Sequence, residues 1–555
     1  MELDLVAIHE ALAECLGDRP CLTWRERTWS WSEVTERTRR FANVLVEHGI
    51  GRHGTLADCA GWESPHDHVA LYLQNGNAYL EAQLGATKAG AAAFNVNYRY
   101  VAEELAYLFD NADVVAVLYQ SSFADRIAAV TQRVHTLRHL IEIDDGTDTP
   151  VRSGAVDYES ALAEQSDERD FAPRDDGDLY ILYTGGTTGM PKGVMWRHED
   201  VWRALGGGID FVTGERITDE FLLARTAAEE VPPVGLVLAP LMHGAAQWGT
   251  LGGLFKGVTN VLLPRFDPHL VWAAVEEYDI AVVTITGDAM ALPLIDAMDQ
   301  RTYDLSSLVA LSSTAAVFSP VVKRKVFDRL PNIFISEAVG SSEGGFNGMR
   351  VLSADSDLEP PDDSGGLLTV APGPNTLVID DDNVPVGPGE IGRLARGGNV
   401  PIGYYKDPAK SAATFIEVQG ARHSVPGDLA RVELDGTITL LGRGSQCINS
   451  GGEKIYPEEV ESVLKAHPSV FDALVLGMDD ERWGQRVTAL VQPRPGEEPT
   501  LEELVEFTRG RLAGYKAPRE LHLIDEMPRQ PSGKPDYKTV RSLIQARDNN
   551  QPSES

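Results

Sequence analysis

The densest chemistry in the chain lies at residues 183–193. There Tyr183, Thr184, Gly185, Gly186, Thr187, Thr188, Gly189, Met190, Pro191, Lys192 and Gly193 follow the apolar run 179–182. Glycines allow backbone N–H groups to wrap phosphate oxygens, threonines add hydroxyl donors, and one lysine adds a point charge, so a phosphate-binding turn after a strand is expected. It is not a Walker A loop, because Pro191 stands before Lys192 where glycine is required and Gly193 stands after it where serine or threonine is required. An ordinary tight turn has no need of so many Gly and Thr residues around one Lys. A second crowding, His53, Asp58, Cys59, His66, Asp67 and His68, contains zinc-binding residue types but fits no closed ligand spacing. It reads as a solvated loop between a helix and a strand.

A phosphate turn needs a strand to carry it, and the chain supplies many. Short apolar runs at residues 69–73, 114–118, 179–183, 259–263 and 281–285 alternate with helical patterns. Val34, Phe41 and Leu45 share one helix face with Gly49 beyond its end, and residues 78–89 form a second helix stopped by Gly90. Such alternation predicts an α/β fold with mainly parallel strands. The pattern breaks near residues 442–452, after a strand at 437–441, and resumes at Pro457 with Glu458 and Glu459 as a helix start. A further strand at 473–476, another at 487–491 and a helix from Leu501 complete a candidate small domain. Residues 353–366, acidic with Pro360 and Pro361, read as a solvated loop, and 548–555 as a frayed tail.

Composition bounds the function. A chain of 555 residues exceeds one core, and 43% hydrophobic with 24% charged residues excludes a disordered or fibrous protein. The 49 Lys and Arg against 83 Asp and Glu leave a net charge of −34, which repels nucleic acid and anionic lipid. Anionic substrates would need cations gathered locally. Four cysteines, Cys15, Cys21, Cys59 and Cys447, with no CxxC pair, offer neither a disulfide framework nor a thiolate metal site and fit a reducing cytoplasm. Glu2, Asp4 and Glu10 occupy the start where an export signal would be basic and then apolar, and no run is apolar for the span of a bilayer. The expectation is a cytoplasmic protein that binds no nucleic acid and inserts in no membrane.

The loop at 183–193 resembles that of the adenylate-forming enzymes, which include acyl-CoA synthetases, peptide-synthetase adenylation domains and beetle luciferases, with Gly185 in the usual serine position. The resemblance continues in the family's order. It implies that His243, in Pro240-Leu241-Met242-His243-Gly244, lies between the carboxylate and nucleotide sites, and that the loop of Ser312, Ser313, Thr314, Ala315 and Ala316 runs along adenine. Val339, Gly340, Ser341, Ser342 and Glu343 resemble a motif whose glutamate holds Mg2+, with Val339 in place of an aromatic residue. Gly427-Asp428 matches the element whose carboxylate accepts both ribose hydroxyls, and Arg443 the arginine near the domain junction. Ser450, Gly451, Gly452, Glu453 and Lys454 resemble the glycine loop of the pantetheine channel, Ser445 stands at the hinge position, and Lys534, in Pro531-Ser532-Gly533-Lys534, matches the catalytic lysine of adenylation.

The implied protein has a large N-terminal domain, residues 1–441, and a small mobile α+β domain, residues 442–555, and allows a homodimer. The implied reaction uses ATP, Mg2+ and coenzyme A to convert a small-molecule carboxylic acid to its acyl-adenylate and then its thioester, with Lys192, Lys534 and loop amides opposing phosphoryl charge. Residues 184–189, 240–248, 286–294 and 442–461 are most similar to actinobacterial acyl-CoA synthetases for steroid side-chain and long acyl acids, which points to a bulky apolar carboxylate and to Trp248, Gly287 and Met290 as pocket residues. Two alternatives remain: an adenylating enzyme that loads a separate carrier protein, and a non-catalytic nucleotide-binding homologue.

Overall fold

The computed structural model describes residues 3–147, 150–171, 177–184, 190–205, 216–316, 318–358, 367–480 except 451–452, and 482–548 except 532. Helix Trp31–Glu47 begins with a reciprocal cap: the Glu33 backbone N–H donates to Ser30 Oγ at 3.2 Å and the Ser30 N–H to Glu33 Oε2 at 2.7 Å. Helix Asn77–Ala89 ends at Gly90, whose φ of +80° is the left-handed conformation that glycine adopts without a Cβ penalty. Between and beyond them, strands His68–Tyr72, Ala92–Asn95, Val114–Gln120, His139–Ile143 and Ala155–Asp157 form one fully parallel sheet.

A second sheet places the candidate site. Strands Pro20–Trp24, Thr259–Leu262, Val234–Val237, Ile280–Ile285, Ala310–Thr314 and Phe334–Ser341 run parallel in that spatial order. Their carboxyl ends therefore lie along one edge, the edge at which open parallel sheets receive ligands. The expectation of mainly parallel strands ends here. From Phe334–Ser341 onward the sheet continues antiparallel through Gly345–Leu352, Thr369–Pro372, Ile438–Arg443, Asp428–Val432 and Ile391–Gly397. Apart from the short helix Pro408–Thr414, no described helix separates these strands, so the connections are not the long helical crossovers that parallel neighbours need and adjacent strands reverse.

Beyond residue 446 the chain builds a separate five-stranded sheet from Ile448–Ser450, Glu453–Ile455, Val470–Asp480, Gly484–Pro493 and Glu520–Leu523. Val460, Leu464 and Leu504 cover one face from helices Pro457–Lys465 and Leu501–Arg509, while Val540 and Ile544 of helix Tyr537–Asp548 cover the other. Alternating strand residues thus feed two small cores.

The His-rich segment is only in part the solvated loop expected, because His66 and His68 are buried and hydrogen-bonded into the fold. His66 Nδ1 bonds to the Gly90 carbonyl at 2.8 Å while its Nε2 accepts from the Leu179 N–H at 3.2 Å, and both nitrogens of His68 are bonded to Ala112 O and Ser64 Oγ. Among the described residues no helix is long and apolar enough to cross a membrane.

Candidate active site

Tyr183 and Thr184 end strand Leu179–Thr184, and Lys192 and Gly193 begin strand Lys192–Arg197; their antiparallel register pairs Thr184 with Lys192 and Tyr183 with Gly193. Gly193 is required by contact, because a Cβ there would lie 2.8 Å from the Tyr183 ring. Gly185, Gly186, Thr187, Thr188 and Gly189, which connect the two strands in sequence, lie outside the described residues. Gly403–Tyr404 pairs with the other edge of Lys192–Arg197, placing Tyr404 opposite Val194. The Lys192 ammonium is ion-paired with Asp407, whose other oxygen caps helix Pro408–Thr414 by accepting from the Lys410 N–H at 2.9 Å.

Beside this hairpin a cavity of about 670 Å³ opens along the carboxyl edge of the parallel strands. Thr184, Pro191, His243, Ser313, Thr314, Ala315, Gly340, Ser341, Ser342, Glu343, Asp428, Arg443 and Lys534 line its wall. Most of the sites read from the sequence thus converge on one space, although they are spread over 350 residues. Lys192 and Glu453 do not line it; Glu453 is exposed at the start of strand Glu453–Ile455. Gly451 and Gly452 lie outside the described residues, as do the side chains of Ser445 and Lys454.

Each wall residue has a local reason for its position. His243 is the residue before helix Gly244–Leu254, and its Nε2 is buried without a hydrogen-bond partner. Burial, with Lys534 and Arg99 nearby, holds its pKa down to about 3, so the imidazole is neutral. Gly244 follows it because a Cβ would approach Leu182 Cδ2 to 2.6 Å. Ala315, just past strand Ala310–Thr314, adopts φ +68°, a left-handed turn that a non-glycine residue rarely takes. Gly340 permits close strand pairing, since its Cβ would meet the Gly345 carbonyl at 2.6 Å.

Glu343, in the turn between Phe334–Ser341 and Gly345–Leu352, is 8% exposed and accepts from the Tyr404 hydroxyl at 3.0 Å. Asp428 and Arg443 face each other in strand register, with Arg443 Nε donating to Asp428 Oδ1 at 3.1 Å. Lys534 comes from the smaller sheet's side, on a turn in which the Gly533 N–H donates to the Gln530 carbonyl at 2.8 Å and the Gln530 N–H to the Lys534 carbonyl at 2.8 Å. Gly533, at φ +79°, packs so closely that a Cβ would lie 2.2 Å from Thr286 Oγ1 at the end of strand Ile280–Ile285. Burial, with Arg443 beside it, lowers the Lys534 pKa, and Glu343 and Asp428 oppose that shift. Its chain nonetheless keeps solvent contact.

Of the three residues expected to face an acyl group, Met290 is in the hydrophobic core at 3% exposure and Gly287 precedes helix Asp288–Gln300 at φ +59°. Thr286 and Ala289 form the wall there instead. Trp248 is half-buried, edge-on to Trp196 at 5.6 Å between ring centroids. Sequence reading missed Tyr404 and Glu458, the latter a wall residue on helix Pro457–Lys465. The aromatic pair Tyr404-Tyr405 before a helix start was the available signal for the first; Glu458 read only as a residue favourable to a helix dipole.

Comparison with known proteins gives this arrangement a context. The sequence model described as AMP-binding enzyme matches residues 9–405, and the one described as AMP-binding enzyme C-terminal domain matches residues 459–534. The chain is 46% identical over 550 residues to a 3-oxocholest-4-en-26-oate–CoA ligase of Rhodococcus rhodochrous, covering 98% of this chain and 96% of that protein. It is 45% identical over 549 residues to a medium/long-chain-fatty-acid–CoA/3-oxocholest-4-en-26-oate–CoA ligase of Mycobacterium tuberculosis, covering 98% and 97%. Among solved structures, the anthranilate CoA ligase AuaEII bound to anthranoyl-AMP shares the fold at a TM-score of 0.82 and 20% identity, over 99% of this chain and 98% of that one. ATP-bound MatB from Rhodopseudomonas palustris does so at 0.79 and 23%, over 98% and 99%. Matches of this extent, in both parts of the chain and across the elements that build the cavity, establish that the chain belongs to the AMP-binding enzyme family.

Proposed function

We propose that this protein is an ATP-dependent, AMP-forming acyl-CoA ligase acting on a bulky apolar carboxylic acid, either a steroid side-chain acid or a medium- to long-chain fatty acid. The observation that carries the reading is the meeting of Lys534 with Glu343, Asp428, Arg443 and His243 around one cavity. The names of the relatives supply the substrate class.

In the first half-reaction the substrate carboxylate attacks the α-phosphate of ATP and pyrophosphate leaves. Thr184 and residues 185–189 cradle phosphate oxygens, Ser313, Thr314, Ala315, Gly340, Ser341 and Ser342 line the nucleoside, and the Asp428 carboxylate accepts the vicinal ribose hydroxyls. Lys534 opposes the charge that builds on the phosphoryl oxygens. Lys192 reaches the triphosphate after leaving Asp407. His243, neutral with a free ring nitrogen, can donate to or accept from the acyl carboxylate region without adding charge. In the second half-reaction the CoA thiol displaces AMP, with Gly451, Gly452, Glu453 and Lys454 brought to the channel by rotation of residues 442–555 about Ser445.

Glu343 fits a magnesium ligand. It is a nearly buried carboxylate on the cavity wall, and among the described residues no group of three or more His, Cys, Asp or Glu forms a metal cage. One protein carboxylate with substrate phosphates and water is the donor set that Mg2+ takes. Bound there, the ion would neutralise phosphate charge. The small number and wide spacing of the four cysteines in the sequence support placing this reaction in a reducing cytoplasm.

The test is a panel of short, medium and long fatty acids, aromatic acids and steroid acids, assayed for AMP and thioester formation with ATP and with CoA present or absent. CoA-dependent thioester from the bulky apolar acids is expected. Adenylate formation without any thioester would replace this reading by the carrier-loading one, and no turnover with ATP binding intact by the non-catalytic one.

A further inference from the structure

Lys192, assigned above to the triphosphate, and Glu343, assigned to its magnesium ion, lie 151 positions apart in sequence, and a single side chain touches both. Tyr404 is 3% exposed. Its hydroxyl donates to Glu343 Oε1 at 3.0 Å, and the Lys192 ammonium lies 5.9 Å from the centre of its ring. We propose that Tyr404 is a positioning residue that fixes the glutamate through its hydroxyl and supports the lysine through its ring face, so that the two approach bound ATP as one preset pair. The inference rests on the proposed ATP-dependent reaction and adds a residue to it.

The fold holds Tyr404 more firmly than contact alone would. Its backbone pairs with Val194 on the strand that begins at Lys192, so ring and lysine sit on adjacent strands of one sheet. The Tyr404 N–H donates to Ser411 Oγ at 2.8 Å, and the ring packs on Phe415 with 5.5 Å between centroids. Gly403 allows the chain to pass at all, because a Cβ there would lie 2.3 Å from the Gly61 carbonyl. A ring so held cannot rotate away, and its hydroxyl selects one placement of the Glu343 carboxylate. A phenol bonded to a carboxylate is also a charge-assisted hydrogen bond, stronger than a neutral one. The ring face gives Lys192 an uncharged support, attractive to a cation yet weak enough to let it move from Asp407 to phosphate.

Tyr404→Phe separates the two contacts, since it keeps the ring and removes the donor. Binding of a non-hydrolysable ATP analogue is measured by calorimetry with and without Mg2+, alongside thermal denaturation. For Tyr404→Phe, affinity without Mg2+ should match wild type, while the gain on adding Mg2+ should shrink by about tenfold, the scale of one lost hydrogen bond to a charged group. Tyr404→Leu should weaken binding under both conditions. In a Glu343→Gln background the Tyr404→Phe effect should vanish, a coupling that a purely structural tyrosine would not show. Wild-type magnesium dependence in Tyr404→Phe, or equal losses with and without the ion, would overturn the proposal while leaving the ligase reading intact. A wild-type protein that binds no ATP analogue would overturn both.

Discussion

Glu458→Gln should remove a pH dependence that wild type shows in the balance between its two half-reactions. Glu458 sits in the first turn of helix Pro457–Lys465 with its carboxylate against Gly442, where a Cβ would come within 2.3 Å of Oε2. Burial, reinforced by Glu461, Asp428 and Glu459, pushes its pKa up to about 8, and Oε2 has no hydrogen-bond partner. When the small domain swings out in the proposed rotation, this carboxyl returns to water and to an ordinary value of about 4.3. The docked arrangement therefore prefers protonated Glu458. That preference is complete below pH ~4.3 and is lost as pH rises toward about 8. Each pH unit in the window costs the docked state about 1.4 kcal/mol, so moving from pH 6 to pH 8 disfavours it by about 2.7 kcal/mol, near a hundredfold. In the proposed mechanism adenylation needs Lys534 docked and thioester formation does not. The assay compares pyrophosphate exchange with thioester formation from supplied acyl-adenylate across pH 6 to 8. The ratio should fall by up to about a hundredfold in wild type and stay level in Glu458→Gln, which keeps the shape without the charge. Lys534, whose pKa is also lowered, is present in both proteins, so the comparison isolates Glu458. Equal slopes in the two proteins would refute the reasoning.

Other perturbations follow from the same geometry. Lys534→Ala should lose adenylation by roughly a hundredfold or more, as when an oxyanion donor is removed, yet still convert supplied acyl-adenylate and CoA to thioester; equal losses in separately measured half-reactions would make Lys534 a general binding residue. Glu343→Gln should depress pyrophosphate exchange far more than nucleotide affinity, and wild-type exchange would remove it from the site. Gly244→Ala, with its Cβ 2.6 Å from the buried Leu182 side chain and 3.3 Å from Ser342 Oγ, should cost about 1–3 kcal/mol through overpacking, read as a lowered Tm.

The elements most legible in the sequence were those fixed by local rules. Helix Asn77–Ala89 stops where Gly90 can turn left-handed, and helix Pro457–Lys465 starts where a proline loses no hydrogen bond. The antiparallel half of the large sheet was not legible, because pairing of Asp428–Val432 with Ile391–Gly397 depends on contacts some forty residues apart that no local period encodes. The site followed the same division. Motif residues such as Glu343 and Asp428 could be named from their neighbours in sequence. Tyr404 and Glu458 could not, since the roles proposed for them come from what they touch across the fold. Met290 misled for the opposite reason: an apolar residue near a site motif looks alike whether it faces a ligand or, as here, the core at 3% exposure.

The net charge of −34 sets a condition on any site for ATP and CoA, and the cavity meets it in a particular way. Among its described lining residues six are basic, Arg99, Arg350, Arg443, Lys465, Arg529 and Lys534, and six are acidic, Glu337, Glu343, Asp428, Glu458, Glu461 and Asp536. In formal charges the wall is thus balanced where the chain as a whole is strongly acidic. Divided at the proposed hinge residue, Ser445, three of each sign precede it in the chain and three of each follow it. The ion pairs respect the same division: Arg350 bonds Glu337 at 2.7 Å and Arg443 bonds Asp428 at 3.1 Å on one side, while Arg529 and Lys465 bond Asp472 at 2.7 and 3.4 Å on the other. Parting the two surfaces breaks none of these pairs, so it avoids the large penalty of leaving one partner of an ion pair buried alone. The proposed rotation would then withdraw Lys534 from the phosphates at small electrostatic cost, and the carboxyl of Glu458, which burial pushes toward its neutral form, would be the group through which pH biases the exchange.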